Sequence, residues 1–374
     1  DDLLWRRVER LPAAARRALE CVTLSGGPIL RSTVREAAAL GGEELGALHQ
    51  LRLGHFIRVR HNDTTELLEP YHDRIRQTVV RQLSAEQKRT QHLALARSLE
   101  QSHSKDAEAL ARHFELAEHH DSAGHYVRIA ARQAAAALAF ERAAELFRKA
   151  LSWGDATDAA LLYAELGEVL AASGRGRDAA ESFLAAAERS KGESVQKLRR
   201  RAGEQLVRSG YLDAGMTVLR ENLALHGIHL PSSTQVSAAL GMLRRRYVDL
   251  RGLSANLRAE QSCHPAELEL QDTLFAAMLG FSMSDVARAA DLQSRQMLAA
   301  LRSGEPFRLA RTLLLDAAFW STLGARCHAR NQEYIEAAMA IARRYPSAQL
   351  DAYVFMSSGV NAYLEGRFFA ARYL

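Results

Sequence analysis

Four columns of residues return along this chain at a fixed step of 36 positions. Ala131, Gly167 and Gly203 form the first, and Ala143, Ala179 and Gly215 the second. Phe147, Phe183 and Leu219 form the third, and Ala150, Ala186 and Asn222 the fourth. A period of this size is one helical hairpin long, and a hairpin of that length buries its apolar face only by stacking on its neighbours. Small residues at Gly167 and Ala179 let two antiparallel helices approach closely, and Phe183 fills the gap towards the next hairpin. The third copy is worn, with Gly215, Leu219 and Asn222 in place of the alanine, phenylalanine and alanine of the second.

Composition agrees with a helical chain. Its 374 residues make two to three domains' worth, and 48% hydrophobic with 25% charged residues excludes a disordered chain. Seven prolines and 23 scattered glycines in a background rich in Leu, Ala, Glu and Arg predict helix almost everywhere, which excludes all-β and collagen-like folds. Cys21, Cys263 and Cys327 form no C-x-x-C and are odd in number, against a disulfide framework or a zinc ribbon. The net charge of +5 permits nucleic-acid contact without requiring it. No apolar run reaches the ~20 residues needed to cross a bilayer. The best one, Leu309 to Gly324, is broken by Arg311 and Asp316, and no signal peptide opens the chain, so a cytoplasmic location without membrane contact is expected. Position 1 is not Met, and the chain stops within the helical pattern Phe368-Phe369-Ala370-Ala371-Arg372-Tyr373-Leu374, as expected of a fragment of a longer protein.

Three regions follow. Residues 1–83 read as a winged-helix domain. Leu4, Val8, Leu11, Ala15, Leu19 and Val22 keep a helical period up to the break at Ser25-Gly26-Gly27-Pro28. A second helix is expected behind a Thr33/Glu36 capping box, ending at Gly41-Gly42, and a third carries Leu45, Leu48 and Leu51 to Gly54. Then His55 to Arg60 alternates like a strand, Asn62-Asp63 turns, and Thr65 to Glu69 returns as its partner. Residues 84–121 read as a helical connector, with a capping box at Ser84-Ala85-Glu86-Gln87 and a helix from about Asp106 to His119. Residues 122–374 read as the hairpin array. It blurs after Pro231, carries a loop around Ser262 to Pro265, and resumes from Glu267; a last copy after Pro346 places Phe355, Gly359, Ala362 and Ala371 in the columns. The fold class expected is therefore all-α, a winged helix with one small hairpin followed by a right-handed superhelix.

The columns match the tetratricopeptide pattern: Tyr163, Leu166, Gly167 and Leu170 on the first helix, then Ala179, Phe183 and Ala186 on the second. A wider resemblance rests on Leu3 to Leu24, the hairpin, and above all Tyr71-His72-Asp73-Arg74-Ile75-Arg76-Gln77-Thr78-Val79. Together with Leu83 to Arg89, His92, Leu95-Ala96, Leu99-Glu100 and Ala111-Arg112-His113-Phe114, this resembles the region that follows the nucleotide-binding domain in signal-transduction ATPases with numerous domains. It is most similar to bacterial members with tetratricopeptide sensors, which are often fused to a serine/threonine kinase, cyclase, histidine kinase or DNA-binding output. The resemblance implies an ATP- or ADP-binding domain upstream, in cis, and a protein or peptide effector on the repeats. It also implies that His72 of His72-Asp73, aligned with a Met-His-Asp motif in which Tyr71 replaces Met, donates to the ADP β-phosphate of the resting state. The residues alone leave the other reading open, with Asp73 capping the next helix and His72 half-exposed.

Within the chain itself no enzyme is expected. No G-x-x-x-x-G-K-[ST], G-x-S-x-G, H-E-x-x-H or kinase signature occurs, so no cofactor or catalytic residue is assigned. Gly174-Arg175-Gly176-Arg177-Asp178-Ala179 imitates a dinucleotide fingerprint but follows a helix, where a hairpin turn belongs. His113, His119, His120 and His125 have no metal-site spacing and read as solvated, as do Arg199-Arg200-Arg201 and Arg244-Arg245-Arg246. Glu43 and Glu44 head the helix that would enter a DNA groove, which opposes nucleic-acid docking. The inner face of the array is assigned to Arg128, Arg132, Glu168, Arg200, Glu204 and Arg208, whose mixed charge favours a peptide or protein partner. The expected function is thus a regulatory region that couples nucleotide state to a partner. Its rivals are a free-standing interaction scaffold and a DNA-binding activator.

Overall fold

A computed structural model of the chain describes residues 2–62, 65–153 and 158–368. They are mostly helical, with one small three-stranded sheet. Two compact units divide at Leu162 and Tyr163.

The first unit begins with α1 (Asp2–Glu9) and α2 (Ala13–Leu24). The unbroken apolar period predicts one helix here, but Pro12 interrupts it. At φ −54 and ψ 152 it is extended, and as a residue without an N–H it can only restart a helix. Ala15, Leu19 and Val22 of α2 are fully buried at the centre of the core. Strand β1 (Ile29–Leu30) runs straight into α3 (Arg31–Ala37), and α4 (Glu44–Leu53) follows a short 3-10 turn at Gly41–Glu43. The expected Thr33/Glu36 capping box is absent. Because β1 pairs with the sheet, helix begins directly after Leu30; this leaves Thr33 buried inside the first turn and turns Glu36 to accept a hydrogen bond from Ser98 Oγ at 3.2 Å.

The hairpin forms as β2 (Ile57–Asn62) and β3 (Thr65–Pro70), in the order β1-β3-β2. The remainder of the expected Asn62-Asp63 turn lies outside the described residues. Alternation sorts the faces: Ile57 and Leu68 point into the core, whereas Arg58 and Arg60 both reach Glu69 on the other face. Helices α5 (Asp73–Gln82), α6 (Ala85–Gln101), α7 (Ala107–Leu116), α8 (His120–Ala136) and α9 (Phe140–Trp153) complete the unit. The Ser84/Gln87 capping box forms as expected, with Gln87 N donating to Ser84 Oγ at 3.1 Å and Ser84 N to Gln87 Oε1 at 2.8 Å. Helix α6 packs on α2 and α3, and its Leu95 joins the core of residues 1–83.

The second unit contains most of α10 (Ala159–Ala172), then α11 (Gly176–Glu188), α12 (Glu193–Arg208), α13 (Leu212–Leu225), α14 (Thr234–Arg251), α15 (Pro265–Ser282), α16 (Val286–Ser303), α17 (Pro306–Ser321), α18 (His328–Arg344) and α19 (Ala348–Leu364). The twelve column positions from Ala131 to Asn222 are all buried. A Cβ on Gly167 would stand 2.7 Å from the Phe183 ring, and one on Gly203 2.5 Å from Leu219, so first-column glycines make room for third-column side chains of the same hairpin. Arg201 of α12 covers the same ring at 4.9 Å. Asn222 is buried because its Nδ2 donates to Gln196 O at 3.0 Å and to Thr273 Oγ1 at 3.3 Å, which ties α13 to α12 and α15.

The blurred stretch resolves into an insertion. Helix α15 packs on both α12 and α13, so α15 and α16 take the next hairpin position, and α14 lies aside on α16. The chain returns from α14 through an irregular segment held by Arg258 N donating to Gly304 O at 2.9 Å. In the last copy Ala362 is buried and Phe355 exposed, while Ala371 lies outside the described residues.

Candidate functional site

The His72 turn is built by the end of the hairpin. Pro70 closes β3, Tyr71 N donates to Phe56 O at 2.9 Å, and the Tyr71 ring meets His55 edge-on at 5.3 Å. His72 then occupies the N-cap of α5 with extended backbone and makes no side-chain cap, so its imidazole is exposed. Asp73 does not cap the helix. It is the first helical residue, and its carboxylate accepts from Gln77 Nε2 at 2.9 Å and lies 3.8 Å from Arg76 Nε, favourably placed in the field of a helix start. Arg76 reaches further, to Gly26 O at 3.1 Å, and Arg112 grips Ser25 O; the two guanidiniums hold the turn between α2 and β1. Gly26 needs its φ of +83 there, and the Arg112 guanidinium fills the space a side chain would take.

The six residues assigned to the inner face do not behave alike. In the first unit Arg128 pairs with Asp158, and both line a pocket of about 220 Å³ with Arg132, His125, Ile129 and Leu161. In the second unit Glu168 is taken by Arg201. Arg200, 14% exposed, bridges Glu269 of α15 at 2.7 Å and Glu204 at 2.6 Å. Burial pulls its pKa down, but Glu204 and Glu269 outweigh that and hold it above the ordinary arginine value. Arg200 therefore joins α12 to α15 with Glu204 beside it on α12, and only Arg208 of the α12 residues assigned to the face is fully exposed.

Both arginine runs read as solvated are in fact structural. Arg199 pairs with Glu221 and Arg201 with Glu168; Arg244 pairs with Asp291, and Arg245 with Asp316 at 2.6 Å, leaving Arg246 exposed. The long arginine stem spans the gap between packed helices, which a charge run in sequence does not disclose. Arg245 also lies over the Phe319 ring at 4.4 Å.

His113 likewise departs from its solvated reading. It is 1% exposed, and its Nδ1 stands 3.0 Å from Nδ1 of His92, so one imidazole donates to the other. Burial, with the Arg112 and Lys88 charges, lowers the pKa of His92 to about 4; burial, with His92 and Arg112, lowers that of His113 to about 3. Both stay neutral in the folded chain but charge in the unfolded chain below about 6.5. Stability therefore falls as pH drops from 6.5 through 4, by up to about 1.4 kcal/mol per pH unit for each histidine. Urea midpoints across that range should show this slope reduced in the variant with His92→Leu and His113→Leu; superimposable profiles would exclude the pair as its source.

Among the described residues no group of three His, Cys, Asp or Glu side chains is placed to hold a metal ion, and no helix is long and apolar enough to cross a membrane. At the head of α4, Glu44 accepts from Arg31 Nε at 2.6 Å, and Arg31 also reaches Glu66 at 2.7 Å. No family model matches the chain, and no curated protein matches it.

Proposed function

We propose that this chain is the sensor region of a signal-transduction ATPase, in which a winged-helix domain reports nucleotide state and a right-handed superhelix of tetratricopeptide-like hairpins receives a protein or peptide effector. The observation that carries the reading is the burial of the four 36-residue columns from Ala131 to Asn222, with Gly167 set against Phe183 and Gly203 against Leu219. The order of α2, α3 and α4 before an antiparallel hairpin, with β1 as third strand, supports the winged-helix part. His72 supports the nucleotide part. Its imidazole is exposed and caps nothing, which leaves an N–H available to a phosphate oxygen presented by an upstream domain. ADP holds the module closed, and an effector opens it only through unequal affinity for the two states. Arg128, Arg132, Glu168 and Arg208 remain the effector-facing candidates, while Arg200 is committed to tying α12 to α15.

The test is made on the full-length protein. The codons before Asp1 should encode a G-x-x-x-x-G-K-[ST] loop after a strand. In that protein His72→Ala should speed ADP release by about 10- to 100-fold, the loss of one hydrogen bond to a charged group. An unchanged release rate removes His72 from the nucleotide site. A reading frame without the phosphate loop removes the ATPase and leaves the scaffold reading.

A further inference from the structure

Helix α14 is inverted relative to an ordinary surface helix. Its inward face is mostly small and charged, with Val248 its one buried large apolar side chain: Ser237 and Gly241 are buried, a Cβ on Gly241 would stand 3.2 Å from Asp291 Cα, and Arg244 and Arg245 are spent on Asp291 and Asp316. Leu243 and Leu250 face outward, and Leu240 is half-buried. Val236, Leu240, Leu243, Tyr247 and Leu250 follow one another by four, three, four and three residues, the alternation of a and d positions in a heptad. Leu243, Tyr247 and Leu250 are 67%, 58% and 74% exposed, and Val236 48%. A single exposed leucine needs no explanation, but a stripe running the length of an 18-residue helix is the seam by which two helices pair.

The flanks say which kind of helix. Beside the stripe stand Arg246 and Arg251, both exposed. Asp249 is the one carboxylate on α14, and it is already engaged by Arg330 at 2.6 Å. The charge left bordering the seam is positive. A second copy of α14 would bring the same arginines to the same seam, whereas a helix with carboxylates beside its leucines would complement them.

We propose that α14 is a docking helix for an amphipathic helix of a partner protein that carries leucines at a and d and acidic residues at the flanking e and g positions. This site is independent of the nucleotide and inner-face readings, because it lies on the insertion. A single seam ~27 Å long gives a small interface, so the affinity expected is micromolar.

The test titrates two labelled synthetic helices into the chain and reads fluorescence anisotropy. One has leucine at a and d with glutamate at e and g, and the other replaces those glutamates with lysine. The glutamate helix should bind saturably and at least about tenfold tighter than its lysine twin. The variant with Leu243→Glu and Leu250→Glu should lose that binding at least about tenfold, and Arg246→Ala should weaken it and flatten its salt dependence. Both leucines are exposed, so circular dichroism should be unchanged; if it changes, the variant with Leu243→Ala and Leu250→Ala gives the same comparison. Equal binding of the two helices, or undiminished binding by the leucine variants, overturns the proposal. So does concentration-dependent dimerisation lost in those variants without peptide binding, which assigns the seam to a second copy. Adsorption to phosphatidylserine vesicles without peptide binding assigns it to a lipid surface and equally overturns it.

Discussion

Phe183→Ala lowers the stability of the chain by about 3–5 kcal/mol, the cost of removing a buried ring and leaving a cavity. The ring is fully buried, bordered by Gly167 and by the Arg201 guanidinium 4.9 Å from its centroid. Neither neighbour can fill the space, since Gly167 has no side chain and Arg201 is held by Glu168. The reciprocal change, Gly167→Ala, costs about 1–3 kcal/mol by overpacking, because a Cβ at 2.7 Å from a ring in a closed site has to displace it. The two changes are coupled. Adding Phe183→Leu to Gly167→Ala shortens the opposing side chain and should restore part of the loss, so the double variant is more stable than the summed single changes. Urea unfolding of the parent, Phe183→Ala, Gly167→Ala, Phe183→Leu and the double variant checks this. A Phe183→Ala cost below about 1 kcal/mol, or strict additivity, would mean that the two positions do not face each other as described.

That pair was legible in the sequence for a physical reason. A glycine opposite a large ring works only at one helical register, so hairpins that reuse the solution reuse the spacing, and Gly167/Phe183 recurs as Gly203/Leu219. The Ser84/Gln87 box was legible because it is local, closed within one turn. Features set by distant partners were not. Thr33 and Glu36 have the spacing of a capping box, but the pairing of Ile29 and Leu30 with Leu68 and Leu67 starts the helix earlier. Arg199 to Arg201 have the look of a solvated face because nothing local reveals Glu168, Glu221 or Glu269 across the gap. His113 reads as one of several surface histidines, since its partner His92 is 21 residues away on another helix. At the His72 turn, position was legible and chemistry was not: the motif marks the start of α5, but which of His72 and Asp73 stands at the cap depends on how Pro70 and Tyr71 leave the hairpin. The outward heptad of α14 was present in the spacing of Val236 to Leu250, yet without the inward pairs of Arg244 and Arg245 it reads like any core-facing stripe.

Those inward pairs set the second large effect. Asp316→Ala should cost about 3–5 kcal/mol, because it strands a buried guanidinium without its counter-charge. Asp316 is 3% exposed and accepts from Arg245 Nη1 at 2.6 Å and from Trp320 Nε1 at 3.2 Å. Arg245 has no reserve: it is 8% exposed, with its guanidinium carbon 4.4 Å from the centroid of the Phe319 ring, and its Nε and Nη2 have no acceptor among the described residues. Replacing both charges, Arg245→Met with Asp316→Leu, removes the desolvation cost together with the attraction and should be neutral or up to about 4 kcal/mol stabilising. The comparison separates a pair kept for stability from one kept for position. If the double variant is as stable as the parent but its α14 amides exchange faster, the ion pair holds α14 in one register on α16 and α17, with its heptad seam outward. If the double variant is as unstable as Asp316→Ala alone, the loss comes from packing around Trp320, and the buried pair is not what anchors the helix.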